Sequence, residues 1–180
     1  MRIYTRRGDA GATGLIDGRR VRKDHPRVAA YGEVDELSAA LGLVRATSDD
    51  AILGRLLHDV QKDLFVLGAQ LADPKAQVGA RKTKAALAQT LVERLERAID
   101  ERQARMPPLA AFLLAGGTPA AARLHQARTV CRRAERAVVG LARRARVDPL
   151  ILAYLNRLSD LLFVLARHAN LAAGIAEEAW

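Results

Sequence analysis

The sequence predicts an all-α fold: a single domain over residues 1–180, built as an up-and-down bundle of five helices. Three observations carry that prediction. Hydrophobic residues make up 50% of the chain but aromatic residues only 4%, so Leu, Ala and Val must build the core, a composition that suits packed helices better than sheets. Apolar positions recur at three- and four-residue spacing over most of the length, the period of a helix buried along one stripe. The pattern breaks where Pro and Gly cluster, leaving five periodic segments and no internal repeat.

Residues 1–26 precede the helices and read as a leader loop, punctuated by Gly8, Gly11, Gly14 and Gly18 and closed by Pro26. The bundle is expected over residues 27–174. Residues 28–46 carry Val34, Leu37, Leu41 and Val44 as one amphipathic stripe. Residues 50–72 repeat it through Ile52, Leu56, Val60, Leu64, Leu67 and Leu71. The polar stretch ADPKAQVGARKTK, with Pro74 and Gly79, reads as an exposed connection. A third helix is expected over 84–104, with Leu87, Leu91, Leu95 and Ile99 facing inward. Met106-Pro107-Pro108 stops it, and a second loop holds Ala115-Gly116-Gly117. Thr118 followed by Pro119 is an N-cap with proline at the first helical position, opening a helix to about Arg146. Asp148-Pro149 repeats that signal for a last helix through Ala172, which is apolar nearly all round and therefore belongs at the centre of the bundle or under another subunit.

The charge balance, 29 Lys+Arg against 20 Asp+Glu, favours anionic partners without choosing among nucleic acid, membrane surface and phosphorylated small molecules. A nucleic-acid binder has only this charge in its favour, since aromatic interleaving and a recognition motif are missing. Cys131 is the single cysteine, so no intramolecular disulfide can form. The start, MRIYTRRGDAG, lacks the apolar core of a signal peptide, and no uninterrupted apolar run reaches the roughly 20 residues that span a bilayer. A soluble, cytoplasmic protein with no membrane role is expected.

Two segments stand out for chemistry. In RTVCRRAER a helix places Arg128, Arg132 and Glu135/Arg136 on one face. Guanidinium groups side by side repel unless an anion sits between them, and arginine offers the bidentate donors that match phosphate oxygens. A solvated basic face is the plainer explanation of the same residues. Against it stand Asn156, Arg157, Ser159 and Asp160 in the otherwise apolar last helix, since polar groups there need partners. The second segment is the leader, Thr5 to Gly14, where glycines free backbone N–H groups and Thr, Arg6, Arg7 and Lys23 add donors and charge. It matches neither a Walker A loop nor a dinucleotide fingerprint, and alone it explains itself as a turn. Asp35 and Glu36, early in the first helix, either complement the helix dipole or orient an arginine of the ladder. His25, His58, His125 and His168 form no metal-ligand spacing, so no protein-bound metal is expected. Cys131, mid-helix among apolar neighbours, reads as a buried thiol.

Together the blocks IYTRRGDAGATGL, RVRKDHPRVAAYGEVDELSAALG, QKDLFVLGAQLA, FLLAGGT, RTVCRRAER and YLNRLSDLLFVLAR resemble the PduO-type ATP:cob(I)alamin adenosyltransferases over roughly residues 2–172. The resemblance implies a five-helix bundle, a homotrimer with sites between subunits, and transfer of the 5′-deoxyadenosyl group of ATP to cob(I)alamin with release of triphosphate. It implies ATP contacts at Thr5, Arg6, Arg7, Gly8, Thr13, Gly14, Lys23, Arg132, Arg133, Glu135, Arg136 and Asn156, with Mg²⁺ carried on the nucleotide. Asp35 and Arg128 match a pair used across the subunit boundary, and Phe112 matches an aromatic lying against the corrinoid. Handover of the product to an adenosylcobalamin-dependent mutase is a further implied partner, and a non-catalytic carrier of that cofactor is the alternative. Arg7 stands where the family usually has threonine, Ala10 where it has a polar residue, and Ala115 where proline commonly precedes Gly116-Gly117.

Overall fold

The computed structural model describes residues 3–75 and 87–180. Their elements, in order, are β1 (Ala12–Gly14), β2 (Arg20–Arg22), α1 (Pro26–Ala46), α2 (Ala51–Ala72), α3 (Gln89–Gln103), α4 (Pro119–Ala142) and α5 (Pro149–Ala172). α1 packs on α2 and α4, α4 on α5, and α5 on α3. The residues after α1, α3 and α5 and those opening α2 and α4 gather at one end, so successive helices alternate in direction.

The helices start where side chains satisfy free backbone N–H groups. Asp50, Thr118 and Asp148 each accept from the first turn, and proline occupies the first positions of α4 and α5. The same device opens α1 earlier than expected: Pro26 is its first residue, and His25 Nδ1 accepts from Arg27 N at 3.1 Å. Pro26 therefore starts a helix as well as closing the leader. α3 begins at Gln89, not at residue 84; residues 84–86 lie outside the described segments, and Leu87 is buried in extended chain just ahead of the helix. Ala88, at its N-cap, has no side-chain acceptor. α4 stops at Ala142, short of Arg146, because Arg143, Arg144 and Arg146 have nothing to bury, and the Arg144 and Ala145 N–H groups turn back to Leu141 O.

The leader is more ordered than a loop. β1 and β2 form an antiparallel hairpin with Thr13 opposite Val21, and Leu15 is buried.

α5 is heavily buried, as its apolar composition requires, with Leu155, Leu158, Leu161 and Leu162 fully buried. Of the described helices it alone is long and apolar enough to cross a membrane, a composition its burial within the bundle accounts for. One polar centre crosses the core: Tyr154 Oη donates to Asp63 Oδ2 at 2.6 Å, and Arg94 of α3 pairs with the same carboxylate. Burial raises the Asp63 pKa, opposed by the Tyr154 hydrogen bond and the Arg94 charge. Three helices are tied there by one satisfied charge.

Candidate active site

Helix α4 carries Arg128 and Arg132 one turn apart, facing α3 and α5. They line a cavity of about 730 Å³ with Phe112, Arg157, Asp160 and Phe163. The Arg128 guanidinium lies 5.9 Å from the centroid of the Phe163 ring, a cation–π contact, and its Nε is buried with no hydrogen-bond partner. Arg132 is exposed and makes no hydrogen bond or ion pair among the described residues. Phe112, 81% exposed, stands at the rim. Arg157 is occupied: it donates to Glu96 at 3.0 Å and to Asp160 at 2.9 Å. The cavity thus offers two unpaired cations beside two aromatic rings, an arrangement suited to a large ligand with a polyanionic end.

Below the cavity His125 is buried against Phe163, with ring centroids 6.0 Å apart. Burial, and then the Arg128 charge, lower its pKa, so the imidazole is held neutral. Cys131 donates its thiol to Leu155 O at 3.2 Å, and burial pushes its pKa up, as a buried, inert thiol requires.

Further along α4, Asn156 Nδ2 of α5 donates to Glu135 Oε1 at 3.3 Å, bringing those two expected contacts together, while Arg136 stays exposed and unpaired among the described residues. Arg133 departs from the expectation. It turns toward α1, where Nε donates to Glu33 Oε2 at 2.6 Å and a second ion pair forms with Glu36. These carboxylates raise its pKa, and its charge is already compensated. Glu36 therefore orients an arginine of this helix, but not one of the ladder.

The leader brings a second group of cations together. Lys23 N donates to Gly11 O at 2.8 Å, and Gly11 adopts a φ of 76°, open to glycine without strain. Lys23 then lies over Gly8, where a Cβ would stand 3.4 Å from its Nζ. Arg20 braces the turn by donating to Arg7 O at 2.6 Å. Thr5 Oγ1 accepts from Arg7 N, and Thr13 sits in β1 ahead of Gly14. Arg6, Arg7 and Lys23 are exposed and free of ion pairs among the described residues, with Arg6 5.5 Å from the Tyr4 ring centroid.

Asp35 is exposed on α1 and lines a cleft of about 380 Å³ against α2, with Ile16 of the leader and Phe65 beside it. No hydrogen bond or ion pair among the described residues joins Asp35 or the leader to Arg128 or Arg132. One chain presents the two halves separately.

Sequence reasoning flagged Arg157 as a polar group needing a partner but overlooked Phe163 and Glu96. Phe163 had a signal: it continues, at four-residue spacing, the line through Ser159 that begins near Asn156.

The cobalamin adenosyltransferase family model matches residues 3–169. The chain is 47% identical over 167 residues to the corrinoid adenosyltransferase PduO of Salmonella typhimurium, covering 93% of this chain and 49% of that protein. It thus spans about half the length of that relative, but 94% of the cobalamin adenosyltransferase of Cupriavidus metallidurans, to which it is 45% identical over 181 residues and 99% of its own length. Among solved structures, a variant PduO-type ATP:corrinoid adenosyltransferase from Lactobacillus reuteri, complexed with cobalamin and ATP, superposes with a TM-score of 0.92 at 38% identity, covering 99% of each chain. A second variant of that protein, complexed with ATP, gives 0.90. The match runs from the leader, through the arginine face of α4, to the last turn of α5, and with it the chain belongs to the cobalamin adenosyltransferase family.

Proposed function

We propose that this chain transfers the 5′-deoxyadenosyl group of ATP to a cob(I)alamin-type corrinoid. The observation that carries the reading is the cavity in which Arg128 and Arg132 stand unpaired beside Phe112 and Phe163. Relatives named for this activity, and a similar structure holding both cobalamin and ATP, support it. In the reaction cobalt attacks C5′, the Co–C5′ bond forms, and the C5′–O bond breaks with its electron pair leaving on triphosphate. A Co(I) nucleophile needs no general base. The chain must align C5′ with cobalt and stabilise the leaving charge.

The family resemblance supplies the roles of individual residues. Thr5, Arg6, Arg7, Gly8, Thr13, Gly14 and Lys23 grip the phosphates, and Arg132, Glu135, Arg136 and Asn156 frame the nucleotide. Phe112 lies against the corrinoid, where an apolar ring disfavours a lower axial ligand without replacing it. Mg²⁺ is carried on the ATP substrate. Arg133 is left out, being held by Glu33 and Glu36.

The site is completed between copies of the chain in a homotrimer. Arg128 Nε is buried without a partner, and Asp35 is exposed on another face. Asp35 of one copy answers Arg128 of the next. The product passes to an adenosylcobalamin-dependent mutase, and neither membrane nor nucleic acid takes part; the protein works in the cytoplasm.

The test is an anaerobic assay with ATP, Mg²⁺ and chemically reduced cobalamin. Light-sensitive adenosylcobalamin and triphosphate are expected in equal amounts. Absence of both ends the reading.

A further inference from the structure

Phe112 sits in the connection between α3 and α4, where an exposed ring in irregular chain has no helix to hold it. Yet the connection is fixed at three places, all from the far end of α5 and the segment 173–180 that follows. At its entry Arg167 Nη2 donates to Pro107 O at 3.1 Å. In its middle Leu114 N donates to Glu178 O at 2.9 Å and Trp180 N to Phe112 O at 2.8 Å, either side of a bridge between Leu113 and Ala179. At its exit Asn170 Nδ2 donates to Gly116 O at 3.0 Å, while Asn170 Oδ1 accepts from Thr118 N at 2.9 Å. Gly117, at φ 98°, leaves room for that amide, which a Cβ would strike.

Arg167 is the hinge pin of this arrangement. Its side chain is only 7% exposed, and besides Pro107 it reaches Glu177 twice, at 2.7 and 2.9 Å. Burying a guanidinium is costly unless its donors are used. Here they join the loop bearing Phe112 to the segment that pairs with it, a task an apolar residue of similar size cannot perform.

We propose that Arg167 and Asn170, with residues 177–180, form a cradle that presets Phe112 against the corrinoid, Arg167 being a positioning residue. The proposal rests on the adenosyl-transfer reading. The prediction concerns one substrate only. Glu177→Gln, and a chain ended after Glu177, raise KM for the corrinoid about tenfold, the scale of one lost hydrogen bond to a charged group. KM for ATP stays at its original value, and bound cob(II)alamin shifts toward the axially ligated form in its electron paramagnetic resonance spectrum.

Both changes leave the buried Arg167 side chain in place, so they remain informative if Arg167→Met fails to fold. An unchanged corrinoid KM and spectrum in both overturns the proposal, as does an equal rise in both KM values. The unaltered chain is assayed alongside. If it makes no product, the transferase reading falls, and the cradle is judged on hydrogen exchange at the Leu114 amide: faster exchange in Glu177→Gln supports it, unchanged exchange refutes it.

Discussion

Helix α4 shows two faces that treat the same residue type in opposite ways. Toward α1, Arg133 is closed between Glu33 and Glu36. Toward α3 and α5, Arg128 and Arg132 stand one turn apart, neither paired with a carboxylate among the described residues. An exposed ion pair adds little to stability and needs no further explanation. Two neighbouring guanidinium groups without a counter-charge repel, and Arg128 also leaves a buried donor unsatisfied. The contrast teaches that a basic run is sorted by its partners: the compensated arginine belongs to the fold, and the uncompensated ones await a ligand or a second chain.

The comparison breaks most readily at Arg132. Arg132→Ala is expected to lower kcat by about 10²–10³, as loss of one transition-state charge contact does elsewhere, with the circular dichroism spectrum and melting temperature unaltered. Wild-type turnover in that variant would erase the distinction between the faces.

The Asp63 centre sharpens it from the other side, as a charge whose partners are all in place. Tyr154→Phe removes the 2.6 Å hydrogen bond inside the core, and a loss of about 1–3 kcal/mol is expected, read in denaturant midpoints. Turnover per folded molecule should hold, because nothing in the cavity changes.

His125 supplies a pH signature beneath the unpaired face. Its folded pKa lies below the ordinary 6.5, so the unfolded chain takes up the proton first. Its contribution to stability is full above that value and is lost as pH falls through it. Urea midpoints measured from neutral to mildly acidic pH should fall more steeply in the wild type than in His125→Gln. Parallel slopes would remove His125 as the cause. Arg133→Ala carries the smallest effect: a slight fall in melting temperature and turnover close to wild type, since its partners are surface carboxylates.

Much of this was legible in the sequence. Apolar spacing gave five helices and the heavy burial of α5, and Asp148-Pro149 marked its start to the residue. Caps were read at Thr118 and Asp148 but not at Asp50, where no proline follows to mark the start; His25 was missed because imidazole is an uncommon cap, and its ring nitrogen does the same work. The leader hairpin was invisible because strands of three residues carry no periodicity. For the site, sequence placed Arg128 and Arg132 together through helical spacing and Phe112 through resemblance. It did not show that Arg133 faces α1, because one position along a helix rotates a side chain onto another face, and only the packing of α1 shows what meets it there. The exposed Asp35 and the unpartnered Arg128 Nε together point past the single chain.

That division between copies is open to direct test by mixing two disabled chains. Lys23→Ala spoils the leader and Arg132→Ala spoils the arginine face, so each alone is expected to be nearly inactive. Co-refolded in equal amounts, they should recover about a quarter of wild-type adenosyl transfer, the share of boundaries at which random assembly joins two intact halves. No recovery, with mixed oligomers demonstrated by mass, would place both halves of the site within one chain and contradict the account.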